Sequence, residues 1–250
     1  MAWKLYEGDC FDYFHLIEDK SVDMILCDLP YGTTACKWDT ILPLKELWKE
    51  YKRIIKDHGA IVLTASQPFT SHLVMSNPEM FRYEWIWKKE QGVNFLMANK
   101  QPLKIHENIL IFSKEGIIYT PQMREGKKYV SGKGTSGRVT GDVIKKQTMN
   151  NGTRFPNSII KINRQTGLHP TQKPVKLFEY LIKTYTNEGD LVLDNCAGSG
   201  TTGVACEITN RNSIMMEKEP EYCQIIKERL STINMDEYQP QRTHKLLTAF

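Results

Sequence analysis

The tightest constraint on folding is a short apolar run, Val22-Asp23-Met24-Ile25-Leu26-Cys27, that breaks at once into Asp28-Leu29-Pro30-Tyr31-Gly32. A run this short, bounded by turn residues, fits a strand buried on both faces, as in a parallel sheet covered by helices. Asp28 then falls at the carboxyl end of the strand, where open α/β sheets place their ligands. Pro30 lacks a backbone donor and pushes Leu29 towards an extended conformation, while Gly32 lets the chain turn. The loop can therefore present a carboxylate, a carbonyl and an aromatic ring side by side. Such a trio suits a planar base bearing an amino group. The amine donates to the Asp28 carboxylate and the Leu29 carbonyl, and Tyr31 offers a face for stacking.

The flanking segments extend the same pattern. Trp3 to Cys10 reads as a short alternating strand ending in an acid, followed by a helical turn from Phe11 to Ile17. Leu44, Leu47, Trp48, Tyr51, Ile54 and Ile55 share one helix face, with His58-Gly59 as the stop and Ala60 to Thr64 as a second buried strand. Tyr83 to Lys88 and Asn108 to Phe112 read as two more strands, joined by a loop carrying Asn94, Asn99 and Pro102. With no helix between them they predict an antiparallel pair at the edge of a parallel sheet. Beyond Pro174, the residues Phe178, Leu181, Ile182 and Tyr185 predict a helix, Asp190 to Asp194 a strand, and Thr201 to Glu207 a helix. Asn212 to Glu217 follows as a strand ending in an acid, and Tyr222, Ile225, Ile226, Leu230 and Ile233 line a last amphipathic helix. The tail after Asp236 is expected to be loosely held.

A chain of 250 residues can bury its core as one domain, and its 40% hydrophobic and 25% charged content is ordinary for a globular protein. Its six cysteines form no Cys-x-x-Cys pair, which predicts reduced thiols, no metal site and a cytoplasmic protein without a signal peptide. No apolar run is long enough to cross a bilayer. Charge is unevenly placed. Residues 115–165 hold ten Lys or Arg against three acids, so the remainder of this +4 chain is slightly acidic. That segment also holds seven of the sixteen glycines and shows no sustained period, so it reads as a long loop. It suits either a phosphate backbone or a solvated lysine-rich loop.

Gly198-Ser199-Gly200-Thr201-Thr202-Gly203, between a strand and a helix, fits G-x-G-x-x-G literally, with Glu217 beyond it. One reading is a dinucleotide fingerprint in a nicotinamide-dependent oxidoreductase. Asp194 would repel a pyrophosphate at that helix end, however, while it suits the ammonium of a methionine moiety. Too few residues follow for a second mononucleotide half, and the P-loop's Lys-Ser/Thr ending is missing. S-adenosyl-L-methionine is the ligand these features favour. A catalytically idle nucleic-acid-binding module is the third reading.

Asp28-Leu-Pro-Tyr31 is similar to the Asp-Pro-Pro-Tyr signature of DNA methyltransferases acting on exocyclic amino groups, with Leu29 in place of the first Pro. Asp194-Asn-Cys-Ala-Gly-Ser-Gly-Thr-Thr202 resembles that family's Asp-Pro-Phe-x-Gly-Ser-Gly-Thr-Thr loop, departing at Asn195 and Ala197. His169-Pro170-Thr171-Gln172-Lys173-Pro174 looks like the segment that precedes it, Glu217 matches the ribose acid, and Asp9-Cys10 the acid near the adenine. The catalytic loop comes before the cofactor loop, which resembles the beta group, a circular permutation of the common order.

The resemblance implies a Rossmann-like S-adenosylmethionine-dependent methyltransferase fold, α/β, with a mostly parallel seven-stranded sheet, an antiparallel edge hairpin and an inserted target-recognition segment. It divides the chain into a catalytic half (1–114), the insertion (115–165), a cofactor-binding half (166–236) and a tail (237–250). It assigns catalysis to Asp28, Leu29, Pro30 and Tyr31. Cofactor contacts fall to Asp9, Cys10, Asp28, His169, Pro170, Thr171, Lys173, Asp194, Ala197, Gly198, Ser199, Gly200, Thr201, Thr202 and Glu217. Asn94, Asn99, Trp38 and His106 are candidates for the border of the site. The implied reaction is base flipping in double-stranded DNA and direct methyl transfer to adenine N6. Cytosine N4 is the alternative, since that variant more often has Ser where this chain has Asp28. A homodimer and a cognate restriction endonuclease, in a bacterium or phage, complete the expectation.

Overall fold

The computed structural model describes residues 3–34, 36, 39–132, 134–136, 143–145, 147–165, 167–168 and 171–233. Its sheet contains β1 (Trp3–Glu7), β2 (Val22–Cys27), β3 (Ile55–Ala65), β4 (Phe81–Val93), β5 (Lys104–Phe112), β6 (Ile159–Lys161), β7 (Leu191–Asp194) and β8 (Asn212–Glu217). The order across it is β1-β8-β7-β2-β3-β5-β4-β6. All neighbours are parallel except at β5, which runs antiparallel to both β3 and β4. The seven expected strands are therefore present with the expected directions. An eighth, β6, comes from the basic segment and covers the hairpin that the sequence places at the edge.

The helices are α1 (Cys10–Tyr13), α2 (Leu44–Ile54), α3 (Phe69–Ser76), α4 (Val175–Tyr185), α5 (Thr201–Ile208) and α6 (Pro220–Ser231). Period-two alternation sends Ile25 and Cys27 of β2 into a core with Leu47, Trp48 and Tyr51 of α2. Met24 and Leu26 enter a second core with Phe178 and Leu181 of α4 and Ile226 of α6. Both faces of the central strands are thus buried, which explains why those strands read as unbroken apolar runs.

Two segments depart from the sequence reading. Helix α2 ends at Ile54 and β3 starts at the next residue, rather than after His58-Gly59. Ile55 is the reason: it is fully buried and pairs with Val22, so burial draws the chain into the sheet before the glycine is reached. Within 115–165, three antiparallel pairs lie nested: Arg124–Glu125 with Thr153–Arg154, Tyr129–Val130 with Met149–Asn150, and Gly134–Ser136 with Val143–Lys145. They make one long two-stranded arm rather than a loop. In the pairs at 124–125/153–154 and 129–130/149–150, Tyr129, Val130 and Met149 are all exposed, so neither face is buried there and no alternation is needed to hold them. Among the described residues no helix is long and apolar enough to cross a membrane.

Candidate active site

Strand β7 leads through α5 to β8 on one side, while the neighbouring β2 leads through α2 to β3 on the other. Their boundary is a topological switch point, and the crevice beyond the carboxyl ends of such strands is the ligand site of open α/β sheets. A cavity of about 600 Å³ opens there, lined from the β2 side by Asp28, Leu29, Pro30 and Tyr31 and from the β7 side by Asp194, Ala197, Gly198, Ser199 and Thr201. Asp9, Cys10, Thr171, Lys173 and Glu217 complete the wall among the residues singled out in the sequence. Gly200 and Thr202 stand just behind, at the start of α5. His169, Pro170 and Trp38 lie outside the described residues. Asn94 reaches the cavity; Asn99 and His106 are exposed and do not line it.

The Leu29 side chain is buried in the core beside Cys27, so the departure from Pro places an apolar anchor inward and leaves the backbone to serve the loop. Tyr31 stacks on Phe69, with ring centroids 5.5 Å apart and planes at 22°. One face is therefore already covered, and the Lys173 ammonium stands 5.6 Å from the ring centroid. The tyrosine hydroxyl donates to Asp28 Oδ1 at 2.8 Å. Burial and then the charges of Asp28 and Glu107 push this phenol well above its ordinary range, so it stays a donor.

Asp28 belongs to a charge cluster that the sequence reading did not assemble. Lys173 Nζ donates to Asp28 Oδ2 at 2.5 Å and stands 3.4 Å from Glu107 Oε2, while Lys89 Nζ contacts Glu107 Oε1 at 2.5 Å. Thr64 also donates to Asp28 Oδ1. Burial opposes the Lys173 charge, yet Asp28 and Glu107 outweigh it and hold the ammonium above the usual lysine range. Burial likewise opposes the Glu107 charge, and the two lysines outweigh it and lower the carboxyl. Period-two reading could have found both missed members. Lys89 continues the buried stripe of Trp85 and Trp87, and Glu107 that of Ile109 and Ile111, positions where an unpaired charge is costly.

The loop after Tyr31 is fixed by Asp39, whose carboxylate accepts from Gly32 N at 2.8 Å, Thr33 N at 2.9 Å and Thr34 N at 2.7 Å. Burial works against its charge, but these bonds keep the carboxyl below the ordinary range.

On the other wall, Gly198 and Gly200 both adopt left-handed backbone, with φ of 51° and 77°. Glu217 Oε2 accepts from Gly198 N at 2.7 Å and Oε1 from Glu219 N at 2.9 Å, which ties the end of β8 to the glycine turn. Burial raises the Glu217 carboxyl. Asp194 accepts from Cys196 N at 3.1 Å and from the Thr202 hydroxyl, and burial pushes its carboxyl up to about 6. Asn195 replaces a proline without loosening the loop, because its side chain accepts from the buried Tyr51 hydroxyl at 2.5 Å. Arg229 of α6 donates to Ser199 O at 2.9 Å and steadies the turn from behind. Asp9 caps α1, accepting from Phe11 N at 3.0 Å, and the preceding Gly8 N donates to Glu217 O at 2.8 Å. A carboxylate pair and a glycine turn thus face the Asp28 loop across one cleft.

A cleft at the switch point of this sheet defines the class of open α/β ligand-binding domains, and comparison with known proteins makes the class specific. The DNA methylase family profile for N6 and N4 targets matches residues 22–228, and the chain belongs to that family. It is 29% identical over 232 residues to the Type II methyltransferase M.HpaI of Haemophilus parainfluenzae, covering 86% of this chain and 70% of that protein. It is 26% identical to M2.MboI of Moraxella bovis, covering 92% and 88%. Among solved structures it resembles the M1.HpyAVI–SAM complex, with a TM-score of 0.64, 25% identity and coverage of 91% and 100%. The cytosine-N4-specific PvuII DNA methyltransferase shares the fold at a TM-score of 0.66 and 16% identity, covering 95% and 90%.

Proposed function

We propose that this protein is a site-specific DNA methyltransferase that transfers a methyl group from S-adenosyl-L-methionine to the N6 amino group of adenine in double-stranded DNA. The single observation that carries the reading is the shared cleft: the Asp28 loop and the glycine turn line one cavity although 170 residues separate Asp28 from Gly198. The residues present fit the cofactor. Gly198 leaves room for close approach, Gly200 behind it turns the chain into α5, Glu217 offers a carboxylate to vicinal hydroxyls, Asp194 one to an ammonium, and Asp9 and Cys10 close the end beside Glu217. Thr171, Lys173, Ala197, Ser199, Thr201 and Thr202 hold its methionine end and the turn around it. His169 and Pro170 belong to the same segment by sequence. S-adenosyl-L-methionine supplies an electrophilic sulfonium methyl.

The chain's own part is to make a poor nucleophile competent. The adenine amine is delocalised into its ring. Asp28 and the Leu29 carbonyl accept its two hydrogens, favour a more tetrahedral nitrogen and stabilise positive charge as it develops. Pro30 holds that carbonyl in place. Tyr31, backed by Phe69 and bonded to Asp28, is a pre-set platform for one face of the base. Lys173 already donates to Asp28 Oδ2, so the arriving amine competes with it for that oxygen, and Glu107 is the carboxylate that keeps its charge paired. Asp28 can take the proton released after transfer.

The target sits inside the duplex stack, so the nucleotide must be extruded. Residues 115–165 serve as the target-recognition insertion between halves 1–114 and 166–236, and their arm is a two-stranded ribbon of the kind the major groove admits. Lys127 and Lys128 are exposed on it. Arg124 and Arg154 instead bond to neighbouring backbone and Asn side chains, so they shape the arm. A partner endonuclease is read from relatives called Type II methyltransferases, although M.BamHII of Bacillus amyloliquefaciens, 28% identical over 244 residues, is called an orphan.

The test is to express the protein in a host lacking adenine methylation, digest the DNA to nucleosides and identify modified bases by mass spectrometry. N6-methyladenine that disappears with Asp28→Ala is expected. N4-methylcytosine overturns the choice of base, and no modified base overturns the activity.

A further inference from the structure

The connection between β4 and β5 leaves the sheet at the same end as Asp28, because β4 runs parallel to β3. Its last rung pairs Val93 with Lys104, and Val93, Asn94 and Lys104 all line the catalytic cavity. Asn94 then turns the chain with a left-handed φ of 75° into a 3₁₀ turn over Phe95–Met97. Backbone bonds tie the tip together: Met97 N to Asn94 O at 3.0 Å, Ala98 N to Phe95 O at 3.1 Å, and Lys100 N to Met97 O at 2.8 Å. This ordered knot turns apolar side chains outward. Phe95 is 65% exposed and Leu96 100%, so the tip gains no burial from the fold itself.

The surroundings say what chemistry would cover it. Residues 94–106 carry Lys100, Lys104 and His106 and no acid. A polyanion with an apolar, stacked interior meets both demands, and apolar wedges inserted between base steps are a known way of holding a kinked or opened duplex. Two projecting side chains are far too little area to hold a second copy of the chain, where about 800 Å² per partner is usual. We propose that Phe95 and Leu96 form a wedge that enters the base stack beside the target and fills the space its nucleotide vacates, with Lys100 and Lys104 meeting the flanking phosphates. The inference rests on the methyltransferase reading and adds a residue pair that drives extrusion without touching the reacting atoms.

The test uses a duplex carrying the site mapped by sequencing modified bases, with 2-aminopurine at the target position, and the variant Phe95→Ala/Leu96→Ala. Both side chains are exposed, so the variant should unfold at the same denaturant midpoint as the parent. Without cofactor, the parent should raise 2-aminopurine fluorescence on binding and the variant should not. With cofactor and unlabelled DNA, the variant should methylate the paired duplex about tenfold or more slowly, with little change in KM, and recover when the target lies opposite an abasic site. Equal fluorescence gain in both proteins overturns the wedge, as does no gain in the parent. A loss that the abasic partner does not relieve overturns it too, and a changed sedimentation coefficient in the variant would assign the tip to a contact between copies. If the parent modifies no DNA at all, the reading of the site fails and the wedge that rests on it fails with it, whereas failure of the wedge alone leaves the parent's methylation of the duplex intact.

Discussion

Glu107→Gln isolates the charge cluster behind Asp28. Glu107 serves two ammonium groups, Lys89 at 2.5 Å and Lys173 at 3.4 Å, whose side chains are only 8% and 6% exposed. After the substitution Lys173 keeps Asp28 at 2.5 Å, so one lysine rather than two is left without a carboxylate. Among the described residues no second carboxylate reaches Lys89. Breaking one buried pair costs about 3–5 kcal/mol. The glutamine carbonyl still accepts a hydrogen bond, which puts the loss near the lower end, at about 3 kcal/mol. For a domain of this size that corresponds to a melting temperature lower by roughly 6–12 °C. The second arm is Lys89→Met in the same chain, which removes the orphaned charge and leaves Asp28 and Lys173 as a balanced pair. Urea unfolding should bring the double variant to within about 1 kcal/mol of the parent. Methyl transfer should not recover, because Lys173 still lacks the carboxylate that holds it while the amine occupies Asp28. A charge-assisted hydrogen bond lost at that stage corresponds to a rate lower by about tenfold or more. Strictly additive losses in stability, or a double variant with parental activity, would refute the account of the cluster.

Other outcomes follow from the wall built by Asp194, the glycine turn and Asn195. Asp194 is raised to about 6, above its value in an unfolded chain, so the native state keeps a proton that the unfolded state releases. Its contribution to stability is present at low pH and is lost as pH rises from about 4 to 6. Binding runs in the opposite sense, because only the carboxylate pairs with an ammonium. S-adenosyl-L-methionine affinity measured by calorimetry should be level above about pH 7 and fall by up to about tenfold per unit below 6, and Asp194→Asn should flatten that dependence. Gly200→Ala puts a side chain on left-handed backbone with its Cβ 3.0 Å from Ile226 Cγ1, so unfolding should show a loss of about 1–2 kcal/mol and weaker cofactor binding. Tyr51→Phe strips Asn195 of its buried donor, and a destabilisation of about 1–3 kcal/mol by the same measurement is expected.

What could be read from the residues alone divides along a physical line. Strands β2, β3, β7 and β8 are buried on both faces, so their composition announces them, and the acids at their ends announce the cleft. Asp28, Asp194 and Glu217 were legible for that reason. What distant elements pair with was not: alternation marks Lys89 and Glu107 as buried charges without saying which groups they meet. Thr64, Lys89 and Glu107 gather around Asp28 and Lys173 only once β3, β4 and β5 are in register, and pairing register is a long-range property. The paired segments 124–131 and 148–154 were unreadable for the reverse reason, because an exposed ribbon needs no apolar alternation. The early end of α2 was missed because Ile54 and Ile55 satisfy a helix stripe and a strand equally well until the sheet claims the second.

The order of motifs along the chain has a structural counterpart in how the two halves mesh. β1 and β2, from the first thirty residues, flank β8 and β7, from the last sixty. Trp3 to Glu7 pairs rung by rung with Ser213 to Glu217, and Val192 and Leu193 pair with Met24 and Ile25. Neither half can complete its own sheet, so the wall carrying Asp194 and Glu217 and the Asp28 loop are held in place by the same strand pairings. Asp23 reinforces the seam from below, accepting from Leu191 N at 2.9 Å while paired with Lys56 at 2.6 Å. A site split across two interleaved halves keeps its two walls at a fixed spacing without relying on a hinge. In-line transfer between groups held on opposite walls demands that kind of placement, where misalignment of about 1 Å is costly.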